Sequence, residues 1–235
     1  MVGAVFCASL ASPTEGRAAE PPAASSLTSD LPPPPPEKPR PPPAHLELGA
    51  RLLTGRPVGE AAAGLPVSDP VSGFYGFGLD AGLRLPMGLF FGAYAQWAYA
   101  AEKKSSTVCP SGATGCGGAD VRIGLEVIWH VLQGRTIDPF VGLGFGREWL
   151  TTRSTPSGQG ARSETDSGWE YAHLELGADW NVDRHFAFGP FVTATLARFG
   201  NASYEDPSIT RSGTISNPSV HGWILIGLGG HVGIW

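Results

Sequence analysis

Apolar and polar side chains alternate with a period of two along residues 74–85 and again along residues 89–100. In the first run one face is apolar throughout, whereas the other face mixes glycine with Asp80 and Arg84. A period of two is that of a β-strand, whose successive side chains point to opposite faces. Residues 86–88, Pro-Met-Gly, separate the two runs and are typical of a tight turn. The pattern therefore predicts a β-hairpin with one continuously apolar face.

The length of these runs separates two classes of β protein. In a soluble sandwich the apolar face would lie inside. In a membrane barrel it would meet lipid, while the glycine-and-charge face lines a narrow interior. Each run is about twelve residues long, whereas strands in ordinary sheets have roughly five or six and a tilted membrane-spanning strand needs about nine to eleven. The length of the runs therefore favours the membrane barrel.

The same alternation recurs along the chain, and helical periodicity appears nowhere over a useful length. Eight strands are predicted, at residues 45–54, 74–85, 89–100, 120–130, 139–150, 169–180, 186–198 and 221–235. The connections alternate between long loops (55–73, 101–119, 151–168 and 199–220) and short turns (86–88, 131–138 and 181–185). Outer-membrane barrels have long loops outside the cell and short turns in the periplasm. The predicted fold class is all-β, an eight-stranded antiparallel up-and-down transmembrane β-barrel over residues 45–235 with both termini periplasmic.

The seven tryptophans provide a second indication, because indole prefers the interface between lipid headgroups and hydrocarbon. None lies in the middle of a predicted strand, and they divide between the two ends of the predicted barrel. The short-turn end has Trp129, Trp180 and Trp235, and the long-loop end has Trp97, Trp149, Trp169 and Trp223. We therefore predict two aromatic belts.

With these features the chain resembles the small eight-stranded outer-membrane β-barrel proteins, broadly OmpA-transmembrane-domain-like or OmpW-like. Glycine-rich segments at 139–144 and 188–192 and the terminal aromatic Trp235 contribute to the resemblance. It implies a Gram-negative outer membrane, contact with its lipid, and recognition of the C-terminal strand by the outer-membrane assembly machinery. The apolar face of the last strand, which includes Ile224 and Ile226, is out of phase with Trp235. Either Trp235 turns inward or the strand has a bulge.

The N-terminal part differs in composition from the predicted barrel. Residues 1–19 are predicted to be a signal peptide with an incomplete start, because an apolar stretch and small residues precede Ala19 but no basic segment does. Residues 20–44 include LPPPPPEKPRPPP, which cannot pack and favours an extended polyproline II conformation. We expect this segment to be a disordered linker.

Composition excludes some partners and predicts a disulfide. The formal net charge of -5 does not favour nucleic acid, and no apolar run approaches the length of a membrane helix. Cys109 and Cys116 lie in one long loop, and two cysteines in an exported loop favour a disulfide. That loop supplies too few further ligands for a metal, so neither a metal nor a cofactor is expected.

The inward faces of the predicted strands bring charged side chains into one lumen. These are three arginines and six carboxylates: Glu47, Arg51, Asp80, Arg84, Arg122, Glu126, Glu148, Glu175 and Asp179. An eight-stranded barrel is only wide enough for side chains to fill, and buried charges must be paired. We expect an interior ion-pair network that plugs the barrel. The alternative is a narrow, porin-like conduit or a site for a small solute.

The predicted function is therefore non-enzymatic, structural or in surface interaction. Alternatives are a conduit or binding barrel for a small, unidentified solute, and a soluble exported lipocalin-like barrel whose apolar faces enclose a ligand. A lipid-modifying enzyme is a weaker alternative, because His173 and Glu175 lie near Ser167 in sequence, and His221 is another histidine at the rim. Such a trio must face the lipid, whereas the alternation turns His173 and Glu175 inward. The sequence contains no phosphate loop, zinc-ligand spacing or nucleophile elbow.

Overall fold

The computed structural model describes residues 43–103, 109, 111, 113, 115–157 and 160–234. The predicted signal peptide, nearly all of the linker, and Trp235 with its proposed role in assembly lie outside the described residues. No helix in the described part of the chain is long and apolar enough to cross a membrane.

Ten β-strands are present among the described residues. Eight are long: β1 (His45–Ala62), β3 (Val71–Arg84), β4 (Leu89–Glu102), β5 (Gly115–His130), β6 (Ile137–Thr155), β7 (Arg162–Asn181), β8 (Phe186–Asp206) and β10 (His221–Ile234). Two are short: β2 (Leu65–Pro66), which pairs with β1, and β9 (Ile209–Thr214), which pairs with β8. The eight long strands correspond to the eight predicted ones.

The eight long strands form a closed antiparallel ring. Each long strand pairs with the next long strand along the chain. The last one, β10, pairs with β8 on one side and with β1 on the other, which closes the ring. Leu46, at the start of β1, lies opposite Ile234, at the end of β10. This arrangement confirms the predicted eight-stranded, up-and-down barrel, in which each of the eight long strands has a neighbour on both sides.

Short turns join the strands at one end of the barrel, where β1 also begins and β10 ends. Gly88 and Gly134 have positive φ angles of 88° and 73° in two of these turns, a conformation that favours glycine. In the third turn Asp183 accepts hydrogen bonds from the backbone N–H groups of His185 and Phe186. These bonds lower the pKa of the Asp183 carboxyl. We call this end the short-turn end, and the opposite end the long-loop end.

At the long-loop end the strands continue beyond the predicted limits. The connection 151–168 is predicted to be a long loop, but β6 and β7 pair as far as Ser154 and Arg162. Trp149 and Trp169 therefore lie within strands and not at their ends. The residues in these extensions are largely polar on both faces, so they show no strong period-two pattern even though their backbones pair regularly. The strands are therefore longer than the sequence predicts.

The two faces of the barrel wall differ in their predominant side chains, although some apolar residues, such as Phe90, are also buried inside. Apolar side chains point outward, as at Leu79 and Leu125, which are 55% and 54% exposed. Charged side chains point inward, as at Arg122 and Glu148, which are fully buried. This is the reverse of a lipocalin-like barrel, which would enclose its apolar faces, so the structure does not support that alternative.

Candidate functional site

The candidate site is the charged interior of the barrel. The structure directs all nine charged residues named from the sequence into it, and Arg84 is the most accessible of them, with a side chain 13% exposed. They separate into three clusters along the barrel, each arranged around one arginine. We call these the middle, long-loop and short-turn clusters.

The middle cluster surrounds Arg51 on β1. Its Nε donates to Asp80 at 2.8 Å, and its Nη2 donates to Glu126 at 3.3 Å. A third hydrogen bond goes from Nη1 to Glu175. One guanidinium thus holds three carboxylates from three other strands, in the fork geometry that suits arginine.

The long-loop cluster surrounds Arg122 on β5. Its Nε lies 2.8 Å from Asp120 and 3.9 Å from Glu170, and its Nη2 lies 3.2 Å from Glu148. Glu148 also accepts a hydrogen bond from the Trp223 indole at 2.7 Å and contacts His221 at 3.1 Å. All members of this cluster are almost wholly buried.

The short-turn cluster surrounds Arg84 on β3. Arg84 donates to Glu47 at 2.6 Å and lies 3.9 Å from Asp138. His130 lies 3.4 Å from Asp138 and 3.7 Å from Asp179. A cavity of about 420 Å³ opens here at the mouth, and it is lined by both basic and acidic groups.

Trp223 corrects the predicted aromatic belts. It is fully buried, stacks on Phe74 with ring centroids 3.8 Å apart, and points into the lumen. The alternation of β10 already indicates this, because Ile224 and Ile226 face outward. The other described tryptophans point outward: Trp97, Trp129, Trp149, Trp169 and Trp180.

Arginine also lies on the outward face near the long-loop end. The guanidinium of Arg147 lies 5.5 Å from the ring centroid of Trp149 and 5.1 Å from that of Trp169. Arg198 is exposed and pairs with Trp169 across β7 and β8. Guanidinium and indole groups together suit the headgroup region of a bilayer.

Sequence reasoning missed several interior groups. These are three carboxylates, Asp120, Asp138 and Glu170, and two histidines, His45 and His231, whereas the alternation already turns His130 inward. His173 and His221, considered only for catalysis, are also inside. The period-two pattern could have placed most of these residues inside, because they lie in phase with inward residues of the same strand.

Glu170 is different, because no simple alternation could place it. β7 has a register shift between Glu170 and Ala172, and both Tyr171 and Trp169 face outward. A β-bulge adds one residue and changes the phase of the strand. Glu170 and His173, three residues apart, therefore both face inward.

The trio considered for catalysis is not assembled, because His173 and Glu175 lie close together but Ser167 is far from both. His173 and Glu175 are buried in the lumen. Ser167 lies six residues before His173 on the same strand, which corresponds to about 20 Å at the rise of an extended chain. Cys109 and Cys116 form a disulfide, so their sulfurs are not available as ligands beside Glu102.

The sequence matches no protein-family model, and no curated protein matches it. The structure is similar to a major outer membrane protein from Thermus thermophilus, with 13% identity, a TM-score of 0.56, and coverage of 81% of this chain and 99% of that one. It is also similar to the outer membrane protein AlkL, solved in lipid bilayers, with 11% identity, a TM-score of 0.53, and coverage of 82% and 90%. The chain has the fold of the small eight-stranded outer-membrane β-barrel proteins.

Proposed function

We propose that this protein is an integral outer-membrane barrel with a structural or surface-interaction role, without catalysis. The observation that carries the proposal is the combination of an apolar outer wall with an interior filled by paired charges. An apolar wall of this extent is costly in water, because removing one large apolar side chain from water is worth about 1.5–3 kcal/mol. Lipid removes that cost.

The proposed orientation directs the short-turn end to the periplasm and the long-loop end to the outside. It is supported by the connections 63–70, 103–114 and 207–220 at the long-loop end, which are longer than the turns at the other end. The fourth connection there, 156–161, is short but joins the extended ends of β6 and β7. In this orientation Arg147, Arg198 and their tryptophans face the headgroups of the outer leaflet. The partners would be outer-membrane lipid along the wall and the assembly machinery at the last strand.

Two measurements test location and fold together. Protein recovered from outer-membrane fractions is run on SDS gels without heating and after boiling. We expect a shift in migration, because a folded barrel resists SDS until it is boiled. A protein that is found in the soluble periplasmic fraction and shows no shift contradicts the proposal.

Orientation is tested by single-cysteine labelling in intact cells. Ser212→Cys on β9 should react with a membrane-impermeant maleimide, and Arg184→Cys in a short turn should react only after lysis. The unsubstituted chain is the control, because Cys109 and Cys116 are joined and Cys7 lies in the predicted signal peptide. The reverse pattern would contradict the orientation.

A narrow conduit is the second candidate, and the cavity at the short-turn mouth favours it. The middle cluster would block such a path, because Arg51 bonds to Glu175 across the lumen. The long-loop cluster would block it where the Trp223 indole donates to Glu148, since β10 and β6 are not neighbours. We expect no steady single-channel conductance in planar bilayers. Steady conductance in the unsubstituted protein would favour the conduit over the plugged barrel.

A further inference from the structure

We propose that the middle cluster is a binding site for a divalent transition metal of the zinc class, with Glu126, His173 and Glu175 as ligands. One potential ligand atom from each residue lies within 4.8 Å of the other two, and all three residues are buried. In the proposed function these three side chains only help to fill the barrel interior, so a metal site goes beyond that function.

The wall of the barrel leaves room for this site. Glu126 is on β5, His173 is on β7, and Gly144 of β6 pairs with both of them. A Cβ atom on Gly144 would lie 3.3 Å from the Cβ of Glu126 and 3.4 Å from the Cβ of His173. It would also lie 2.8 Å from the backbone oxygen of Leu125, so a residue larger than glycine does not fit without a shift of the backbone. The glycine therefore lets the Glu126 and His173 side chains approach each other above the sheet.

The hydrogen bonds of His173 match those of a metal ligand. Its Nδ1 lies 2.7 Å from Glu170 Oε1, and since a carboxylate only accepts, Nδ1 carries the proton. The Nε2 atom is buried and has no hydrogen-bond partner, and its nearest carboxylate oxygen, on Glu175, is 3.6 Å away. A carboxylate on one ring nitrogen with a metal on the other is the usual arrangement of ligating histidines.

The bulge in β7 creates this arrangement. If β7 alternated regularly here, with no bulge, Glu170 would face the lipid while His173 faced inward, and His173 would lack its carboxylate partner. Bulges re-aim side chains and occur often beside functional sites. Tyr94 lies against the same histidine, with ring centroids 4.7 Å apart, and restrains its orientation.

Charge balance favours a divalent cation at this position. Asp80, Glu126 and Glu175 carry three negative charges against the single positive charge of Arg51. Arg51 contacts one oxygen of Glu126 and one of Glu175, which leaves a second oxygen on each carboxylate. The remaining two negative charges equal the charge of the proposed ion. Nitrogen from imidazole and oxygen from carboxylate are ligands that zinc accepts.

Carboxylates and histidines connect the site with the short-turn mouth. His231 lines the cavity there and lies 3.7 Å from Asp80 of the middle cluster and 3.7 Å from Glu47 at the mouth. A cation entering from this end would therefore meet acidic groups along the way.

The experiment uses the full chain in detergent, first treated with a chelator and then titrated with Zn²⁺ alone by calorimetry. We expect one high-affinity equivalent in the unsubstituted protein. His173→Gln should weaken that binding at least about 100-fold, and Glu170→Ala should weaken it about 10–100-fold, the range found for partners of metal-bound histidine. Co²⁺ in place of Zn²⁺ should give an absorption band that His173→Gln abolishes.

His221→Gln is the matched control, because it makes the same substitution in the long-loop cluster, where Nε2 already contacts Glu148. Its zinc affinity should equal that of the unsubstituted protein. Each variant is first checked for heat-modifiable migration, and if His173→Gln does not fold, Glu126→Gln takes its place. The proposal is overturned if the unsubstituted protein takes up no zinc, or if the folded ligand variant binds as before. If the unsubstituted protein takes up no zinc, His173 Nε2 carries a second proton beside Glu175 in place of a metal.

Discussion

The inner and outer faces of the same strand show two different kinds of stability. On β5, Leu125 is 54% exposed and Glu126 is 4% exposed, although they are adjacent in the chain. The outward residue needs only an apolar surrounding, which many side chains could share. The inward residue needs particular partners, since an unpaired buried charge is costly.

This difference predicts different tolerance to substitution. On the outer face the cost of a change should depend on its depth in the membrane and on its polarity. On the inner face it should depend on which charge loses its partner.

Arg51→Ala should be the most destabilising change. It leaves Asp80, Glu126 and Glu175 without their shared cation in a buried space. Removing one partner of a buried ion pair costs about 3–5 kcal/mol. Urea unfolding of the barrel in detergent or lipid measures the loss. Arg211→Ala, on the exposed strand β9, is the control and should change the unfolding free energy by less than about 0.5 kcal/mol. Similar losses in the two variants would contradict the contrast.

Leu125→Arg tests the outer face. If Leu125 faces the bilayer midplane, the substitution should lower the unfolding free energy by about 2–4 kcal/mol, because a cation is placed in hydrocarbon. Ile137→Arg is a matched control on the same face, since Ile137 pairs with Trp180 near the short-turn end. At that interface the cost should be about 0–1 kcal/mol. Equal costs in lipid bilayers would show that depth has no effect.

Trp223→Phe should cost more than Trp169→Phe. The Trp223 indole donates to the buried Glu148, and phenylalanine removes that donor while preserving the aromatic ring. The loss should be about 1–3 kcal/mol, the usual cost of a buried group left without its hydrogen bond. Trp169 is 50% exposed on the outer face, so its substitution should change the unfolding free energy little. A larger loss at Trp169 would indicate that the lipid interface dominates.

Arg84→Ala should have the smallest effect among the interior charges. Glu47 loses its 2.6 Å hydrogen bond, but the mouth cavity lies beside both groups and His231 remains near Glu47. We expect the free energy of unfolding to fall by about 1–2 kcal/mol, because the charged Glu47 loses a hydrogen bond. Lys103→Ala, at a loop position, should lie within about 0.5 kcal/mol of the unsubstituted protein. If Lys103→Ala costs as much, Arg84 has no role in interior pairing.

The sequence determined the architecture because strand alternation is local. A side chain and its second neighbour must share a face whatever the rest of the chain does. The order of short and long connections, the outward face of β3 and the inward direction of Asp80 and Arg122 could therefore be read residue by residue. A disulfide between two nearby cysteines is also a local expectation.

Only the tertiary structure decided which charges meet. Arg51 joins Asp80, Glu126 and Glu175, which are 29, 75 and 124 residues away, through the closure of the ring. Pairing between β6 and β7 continues beyond their apolar segments, because paired backbone does not require apolar side chains. The bulge in β7 turns Glu170 inward beside His173. Alternation assigns each side chain to a face, but contacts across the lumen depend on the register and shear of strands that are distant in the chain.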